Sequence, residues 1–239
     1  MYAERPSTIR HAVRWTSTSR GGAARILPDG CIDVIVTDGR AMVAGPDRTA
    51  RWHLGTAGER SCAIRFAPGH APGILAVPAD ELVGATVPLA ALLGDAPTRR
   101  LLERLAAAPD PAGVLEAAFA DAARRADDPR RDAVVAALDA GVGVDAVADL
   151  AGWTPRQLHR RSLGWFGYGP KHLAKVLRFQ RALRAVRAGR PLAATAAELG
   201  YVDQSHLARD ARQLADATLT ELGARPAGDA RRRQSPSGA

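Results

Sequence analysis

The chain has 239 residues, of which 46% are hydrophobic and 24% are charged. This balance excludes a wholly disordered polypeptide, and the length suits two small folded domains better than one large core. There is no run of 18 apolar residues and no signal-peptide pattern at the N-terminus, so we expect a cytoplasmic protein with no membrane partner. The two cysteines, Cys31 and Cys62, are too few for a disulfide framework.

The net charge of +8 lies in the second half of the chain. Residues 1–128 carry 15 basic and 15 acidic side chains, whereas residues 129–239 carry 18 basic and 10 acidic ones. A neutral half beside a basic half indicates a polyanionic partner for the second half only. Nucleic acid is the leading candidate, because no amphipathic helix with bulky apolar anchors suggests a membrane surface.

The first third of the chain has strand patterns. Apolar residues alternate in Cys31–Val36 and Ser61–Phe66, and Trp52–Leu54 is a further short strand. Asp38-Gly39 offers the positive φ angles of a tight hairpin turn, after which Ala41–Ala44 returns. These strands predict a small β-barrel or sandwich.

Helical periodicity begins after Pro78. Pro97–Ala107 and Ala112–Ala126 have apolar residues every three to four positions, and they predict helices that either complete the core or form a dimer interface. Short helices continue over 130–222. The predicted fold class is therefore α+β, with a β-rich first domain carrying appended helices and an all-α second domain.

Asp127-Asp128-Pro129 marks the predicted boundary, because proline disfavours helix in the residue before it. We expect a sensor or dimerisation domain over residues 1–128 and a helical domain over 129–224. The last segment, 225–239, is rich in Pro, Gly, Ser and Arg, and its composition predicts a disordered basic tail.

Two segments of the helical domain predict helix-turn-helix units. In each, a small alanine (Ala148, Ala196) allows close helix crossing and a glycine four residues later (Gly152, Gly200) ends the first helix. An aromatic residue follows, and then a capping residue restarts the chain: Thr154 with Pro155 and Gln157 in the first unit, Asp203 in the second.

The second helix of each unit, Pro155–Leu163 or Gln204 to about Leu214, turns one leucine inward and polar side chains outward. Arg, Gln, Ser and His can hydrogen-bond base edges in a major groove. The alternative is two ordinary helical corners in an all-α domain. The outward candidates for base contact are Arg156, Gln157, His159, Arg160 and Arg161 in the first unit, and Gln204, Ser205, His206 and Arg209 in the second.

A long helix starting at Pro170 and running to about Ala188 joins the two units. Lys171, Lys175 and Arg178 lie opposite its apolar face, where they form either a solvated basic surface or a set of phosphate contacts.

These residues resemble the DNA-binding domain of the AraC/XylS family of regulators over about 130–222. The resemblance rests on Glu198–Leu207 in the second unit and on Phe166–Lys171 and Arg178–Ala182 around the linker helix. It implies seven helices, double-stranded DNA as partner, contact with RNA polymerase and, often, activation. It also implies base contacts from six residues: Arg156, His159, Arg160, Gln204, Ser205 and Arg209.

The chain departs from the family pattern at three positions. Ala211 replaces a phenylalanine, Asp216 a glycine and Leu219 a proline. A missing core aromatic costs roughly 3–5 kcal/mol if nothing compensates, so we expect the first unit to be the better formed. In the first domain, Leu27–Asp33 resembles sensor-like domains found upstream of such units, which implies control by an unidentified small-molecule effector or by homodimerisation.

An enzyme or a metal site is a weaker interpretation. Six residues could be assembled into a metal site on paper, but without any close-spaced ligand pair: Asp29, Cys31, Asp33, His53, Cys62 and His70. No nucleophile elbow or phosphate loop is present, so we expect no enzyme activity, cofactor or metal. Trp52 and Phe66 are expected in the core, or else lining a small-molecule pocket. The alternative function is a ligand-binding or catalytic first domain whose helical partner does not bind DNA specifically.

Overall fold

The computed structural model describes residues 2–223; the tail predicted over 225–239 lies outside the described residues. The first half contains a six-stranded antiparallel sheet and a separate two-stranded ribbon. The sheet order is β1-β2-β7-β4-β5-β8, and β3 pairs with β6. The strands are β1 (Tyr2–Pro6), β2 (Ala12–Thr18), β3 (Gly22–Ile26), β4 (Ile32–Thr37), β5 (Arg40–Ala44), β6 (Arg51–Gly55), β7 (Arg60–Phe66) and β8 (Thr86–Pro88).

The hairpin between β4 and β5 forms as its turn residues predict. Asp38 has a φ of 47° and Gly39 a φ of 73°, so both adopt the left-handed conformation that matches the strand twist. Thr37 pairs with Arg40 at the start of the hairpin ladder. The edge strands β1 and β8 are not paired with each other in the described part of the chain, so the sheet is open and does not close into the barrel that was one of our alternatives.

Helices cover one face of this sheet and pack against it to form the core of the first half. They are α1 (His70–Leu75), a 3-10 turn (Ala79–Glu81), α2 (Leu89–Leu93), α3 (Asp95–Ala106) and α4 (Pro111–Arg125). Phe66 on β7 meets Phe119 on α4 edge to face, with ring centroids 6.1 Å apart. Leu101 and Leu115 are buried in the same cluster, so the inner faces of α3 and α4 belong to the core.

Trp52 contradicts the sequence expectation. Phe66 is fully buried as predicted, but Trp52 is 61% exposed on the ribbon, neither in the core nor in a closed pocket. Trp52, His53 and Leu54 are all exposed, so this part of β6 packs against no second layer in the described part of the chain. The Arg25 guanidinium lies 4.7 Å above the Trp52 ring.

Seven helices make up the second half over the described residues, as the resemblance implies. They are α5 (Pro129–Asp139), α6 (Val144–Leu150), α7 (Pro155–Phe166), α8 (Pro170–Arg187), α9 (Leu192–Glu198), α10 (Gln204–Ala215) and α11 (Leu219–Gly223). The long helix α8 contributes to two apolar clusters, one with α5 to α7 and one with α9 to α11. Over the described residues, no helix combines the length and apolarity needed to cross a membrane.

The two halves are in direct contact. The Ala50 backbone N–H donates to the Leu214 carbonyl at 2.6 Å. Arg48 donates to the Gly167 carbonyl at 3.3 Å, immediately after α7. Helix α7 also packs on the Ala79–Glu81 turn. The first half therefore touches both helix-turn-helix units.

Candidate nucleic-acid interface

The turn of the first unit follows from its sequence. Gly152 has a φ of 68°, and the Trp153 N–H donates to the Ala148 carbonyl at 2.9 Å. Thr154 Oγ1 accepts from the Gln157 N–H, and Gln157 Oε1 accepts from the Thr154 N–H at 2.8 Å. This capping box satisfies amides that the first turn of a helix otherwise leaves without acceptors.

The second unit repeats this geometry. Gly200 has a φ of 70°, and the Tyr201 N–H donates to the Ala196 carbonyl at 3.0 Å. Asp203 Oδ1 accepts from the His206 N–H at 2.6 Å and caps α10. Both alanines at the helix crossings are buried. The chain therefore folds into two turns of the same type, each followed by a capped helix.

On α7, the outward face carries the side chains predicted for it. Arg156, His159 and Arg160 are exposed, while Leu158 between them is fully buried. Gln157 is also exposed, but its oxygen is engaged by the cap. The His159 ring lies against Gly169, where an added Cβ would come within 2.7 Å of it.

On α10, Gln204, Ser205 and Arg209 are exposed. Arg209 Nε donates to the Ser205 carbonyl at 3.4 Å, a weak bond that leaves most of the guanidinium free. His206 differs from the prediction, because its ring is half-buried and lies edge-on to Tyr201 with centroids 5.2 Å apart. Its ring therefore packs within the unit instead of facing fully outward.

The three basic residues of α8 do not form one continuous surface. Lys171 is exposed, as predicted. Lys175 Nζ instead lies 3.0 Å from Asp210 Oδ1, and Arg178 Nη2 lies 3.1 Å from Asp210 Oδ2. Asp210 belongs to α10 and is only 7% exposed, so both cations are held by a carboxylate inside the domain. This corrects the expectation that Lys175 and Arg178 extend freely toward phosphates.

Arg178 has a second internal contact. Its guanidinium lies 4.2 Å above the ring of Tyr201, the aromatic residue of the second turn. Arg178 thus joins the linker helix to both parts of the second unit, the turn and α10. Sequence reasoning missed Asp210. The available signal was an acidic residue on the inward arc of α10, between Leu207 and Leu214, because such a residue requires a cation there.

The three departures from the family pattern are accommodated. Ala211 is fully buried, and Leu219, at 2% exposure, joins the same cluster as Leu207 and Leu222. Asp216 ends α10 in the left-handed conformation with a φ of 49°, the role that glycine usually serves. The buried residues of the second unit therefore belong to one apolar cluster, and the expectation that the first unit is the better formed stays a prediction.

The six residues considered for a metal site do not form one cluster, because Asp29, Cys31 and Asp33 lie near Arg65 and away from His53, Cys62 and His70. Asp29 Oδ1 accepts from the Cys31 N–H at 2.9 Å, which makes it a turn residue. Asp33 accepts from the Trp15 indole at 2.7 Å and from Arg65 at 3.1 Å, and His53 is exposed on the ribbon. Burial raises the pKa of the Cys31 and Cys62 thiols, which disfavours the thiolate form that metals require.

His70 instead meets His11 and Asp132 at the contact between the two halves. His11 Nε2 and His70 Nε2 each lie 3.4 Å from an Asp132 oxygen, and the two rings stack at 4.5 Å. Arg131 Nη2 lies 3.0 Å from His70 Nδ1. Since guanidinium only donates, Nδ1 must accept and the ring proton sits on Nε2. His11, His70 and Asp132 are close enough to hold a metal ion, but the Arg131 guanidinium lies against both His70 and Asp132 and already supplies a positive charge there.

Comparison with known families agrees with the geometry of the two units. Residues 147–225 match a family model described as "Helix-turn-helix domain". Residues 147–225 therefore form a helix-turn-helix domain of the AraC type. This domain supports a DNA-binding transcription regulator. Residues 8–88 match a second model, described as "Domain of unknown function (DUF6597)", and no curated protein matches significantly.

Solved structures similar to this chain include those of ToxT from Vibrio cholerae. Two of them, one an apo lysine-to-alanine variant, are each 8% identical with a TM-score of 0.46. The matches cover 91% of this chain and 98% of the variant, and 93% of this chain and 96% of the other structure. A third ToxT structure is 9% identical with a TM-score of 0.43, covering 93% and 97%. At these scores the similarity carries no argument about function.

Proposed function

We propose that the chain binds specific double-stranded DNA sites through α7 and α10, which enter successive major grooves on one side of the duplex. The observation that carries this proposal is the repetition of one capped-turn geometry on both sides of a single long helix. Arg156, Arg160, Gln204 and Arg209 are its principal base readers. Arginine pairs with guanine and glutamine with adenine, each worth roughly 1–3 kcal/mol of discrimination.

Lys171 is the phosphate contact of α8 in this proposal. Lys175 and Arg178 hold α10 in place through Asp210 and act on DNA only through that helix. Gln157 and His206 are lesser candidates, because the first completes a cap and the second packs on Tyr201. We further infer that the first half controls DNA binding through a ligand or a second copy, since it touches both units.

The test is selection of bound duplexes from a random library with the full chain, followed by footprinting of the selected site. We expect two protected major-groove segments centred about 34 Å apart, and affinity that falls steeply as salt rises. A footprint limited to one groove segment would contradict two-helix reading. Salt-insensitive or absent binding would favour the alternative, a helical half that only packs on a ligand-binding first domain.

Variants divide the contacts by role. Arg160→Ala should relax preference at one base step, whereas Lys171→Ala should weaken all sequences about equally and reduce the salt slope by about one. Arg124→Ala is the control, because it removes one exposed positive charge on α4, which belongs to neither unit. If Lys171→Ala altered base preference, or Arg160→Ala did not, the role assignments would be wrong.

A further inference from the structure

The uncovered end of the six-stranded sheet forms a cleft of about 880 Å³ against α3 and the start of α4. Helices cover one face of the sheet near Phe66 and Ile64. Farther along the same strands, the space between this face and the helices stays open. Val36 and Cys62 on the strands and Leu102 and Leu105 on α3 supply its apolar wall. Thr16 on β2 also lines the strand side, on the same face as its cross-strand partner Cys62.

Three arginines border this cleft: Arg5 on β1, Arg14 on β2 and Arg60 on β7. Arg5 and Arg14 are direct cross-strand partners, an arrangement of like charges that destabilises a sheet unless anions balance it. Arg14 is balanced, because it lies 3.3 Å from Asp110 and 3.2 Å from Glu116. Within residues 2–223, neither Arg5 nor Arg60 has an ion-pair partner.

We propose that this cleft binds a small organic anion with an apolar body. The anionic group would lie between Arg5 and Arg60, and the apolar body would lie on Leu102, Ala106 and Cys62. Two acidic residues, Asp38 and Asp110, also line the cleft. Only Asp110 is paired with an arginine, so the charge of Asp38 repels a second negative group on the ligand. The claim that a ligand in this cleft controls DNA binding rests on the proposed function. The claim that the cleft binds the ligand does not.

The contacts of α4 connect this cleft to the DNA-binding half. Helix α4 packs on α1, and α1 packs on α7. His70, the first residue of α1, contacts Arg131 of α5. A ligand that shifts α3 and α4 would therefore move elements in contact with the first recognition helix.

Two dyes of similar shape test the site on the full chain without DNA. Anilinonaphthalene sulfonate is an anion with an apolar body, and N-phenylnaphthylamine has the same body without charge. We expect one equivalent of the sulfonate to bind more tightly than the neutral dye. The double change Arg5→Ala and Arg60→Ala should weaken the sulfonate about tenfold and leave the neutral dye unchanged.

Thr16→Trp, at an exposed strand position inside the cleft, should abolish binding of both dyes by filling the space. Arg124→Ala is the matched control, because it removes one positive charge outside the cleft. Equal binding of the two dyes, retention of the sulfonate by the double variant, or binding that survives Thr16→Trp would each overturn the proposal. The last outcome would place the dye elsewhere, for instance on Trp52 and Leu54 of the ribbon.

The effector role has its own measurement. Saturating sulfonate should change the affinity of the wild-type chain for its selected duplex at least threefold, and that of the Thr16→Trp variant not at all. Unchanged affinity for DNA would overturn the effector role. Failure of the chain to bind any duplex would instead count against the proposed function, and the dye titrations would still decide the binding site.

Discussion

Acidification should destabilise the protein through His70. Burial, reinforced by the positive charges of Arg131 and Arg10, lowers the pKa of His70 from 6.5 to about 3. In the unfolded chain the ring regains its ordinary pKa, so between these values the unfolded state binds more protons. Stability is then fully present above pH 6.5 and falls as the pH drops toward 3. From pH 7.5 to 5.0 this linkage costs about 2 kcal/mol.

Urea unfolding at the two pH values measures this loss of unfolding free energy. The wild-type chain is compared with the His70→Gln variant. Glutamine cannot titrate, so the variant should lose about 2 kcal/mol less than the wild type over the same interval, whatever its stability at pH 7.5. The comparison isolates His70 from His11 and His172, whose pKa values burial also lowers. Equal losses in both proteins would refute the claim that His70 is buried and neutral beside Arg131.

Three further outcomes follow from single contacts. Asp210→Asn should lower the free energy of unfolding by about 1–3 kcal/mol and relax base preference only at the half-site read by α10, as measured by urea unfolding and by selection. Thr154→Ala should cost about 1 kcal/mol through loss of the α7 cap, whereas Thr154→Ser should cost much less, by the same unfolding assay. Trp52→Ser should change stability by less than about 0.5 kcal/mol, because the ring is exposed; a larger loss in urea would show that it packs.

The sequence predicted local features better than contacts between elements. The capped turns at Thr154 and Asp203 and the hairpin at Asp38-Gly39 could be predicted because each depends on two or three neighbouring residues. Strands β1 to β3 were not individually predicted. Their apolar alternation is interrupted by charges such as Glu4 and Arg14, which the fold neutralises with partners distant in sequence. Such pairings have no local signature.

The basic residues of α8 show the same limit within the candidate interface. Helical periodicity correctly placed Lys171, Lys175 and Arg178 away from the main apolar stripe. It could not show that α10 crosses that side and presents Asp210 to two of them. Position on a helix predicts which face a residue occupies, whereas the function of that face depends on which element packs there.

The contacts between the halves constrain how DNA binding can be controlled. Arg131 on α5 is 2% exposed, and its guanidinium contacts His70 from the first half. The Gly167 carbonyl after α7 and the Leu214 carbonyl near the end of α10 each accept a bond from the segment between β5 and β6. One short segment, Arg48–Ala50, therefore touches both recognition helices near their C-terminal ends. The proposed base contacts, Arg156 to Arg160 on α7 and Gln204 to Arg209 on α10, lie in the N-terminal halves of these helices and are exposed or half-buried apart from the inward-facing residues. The segment therefore contacts both helices at the end away from the proposed DNA-binding side chains.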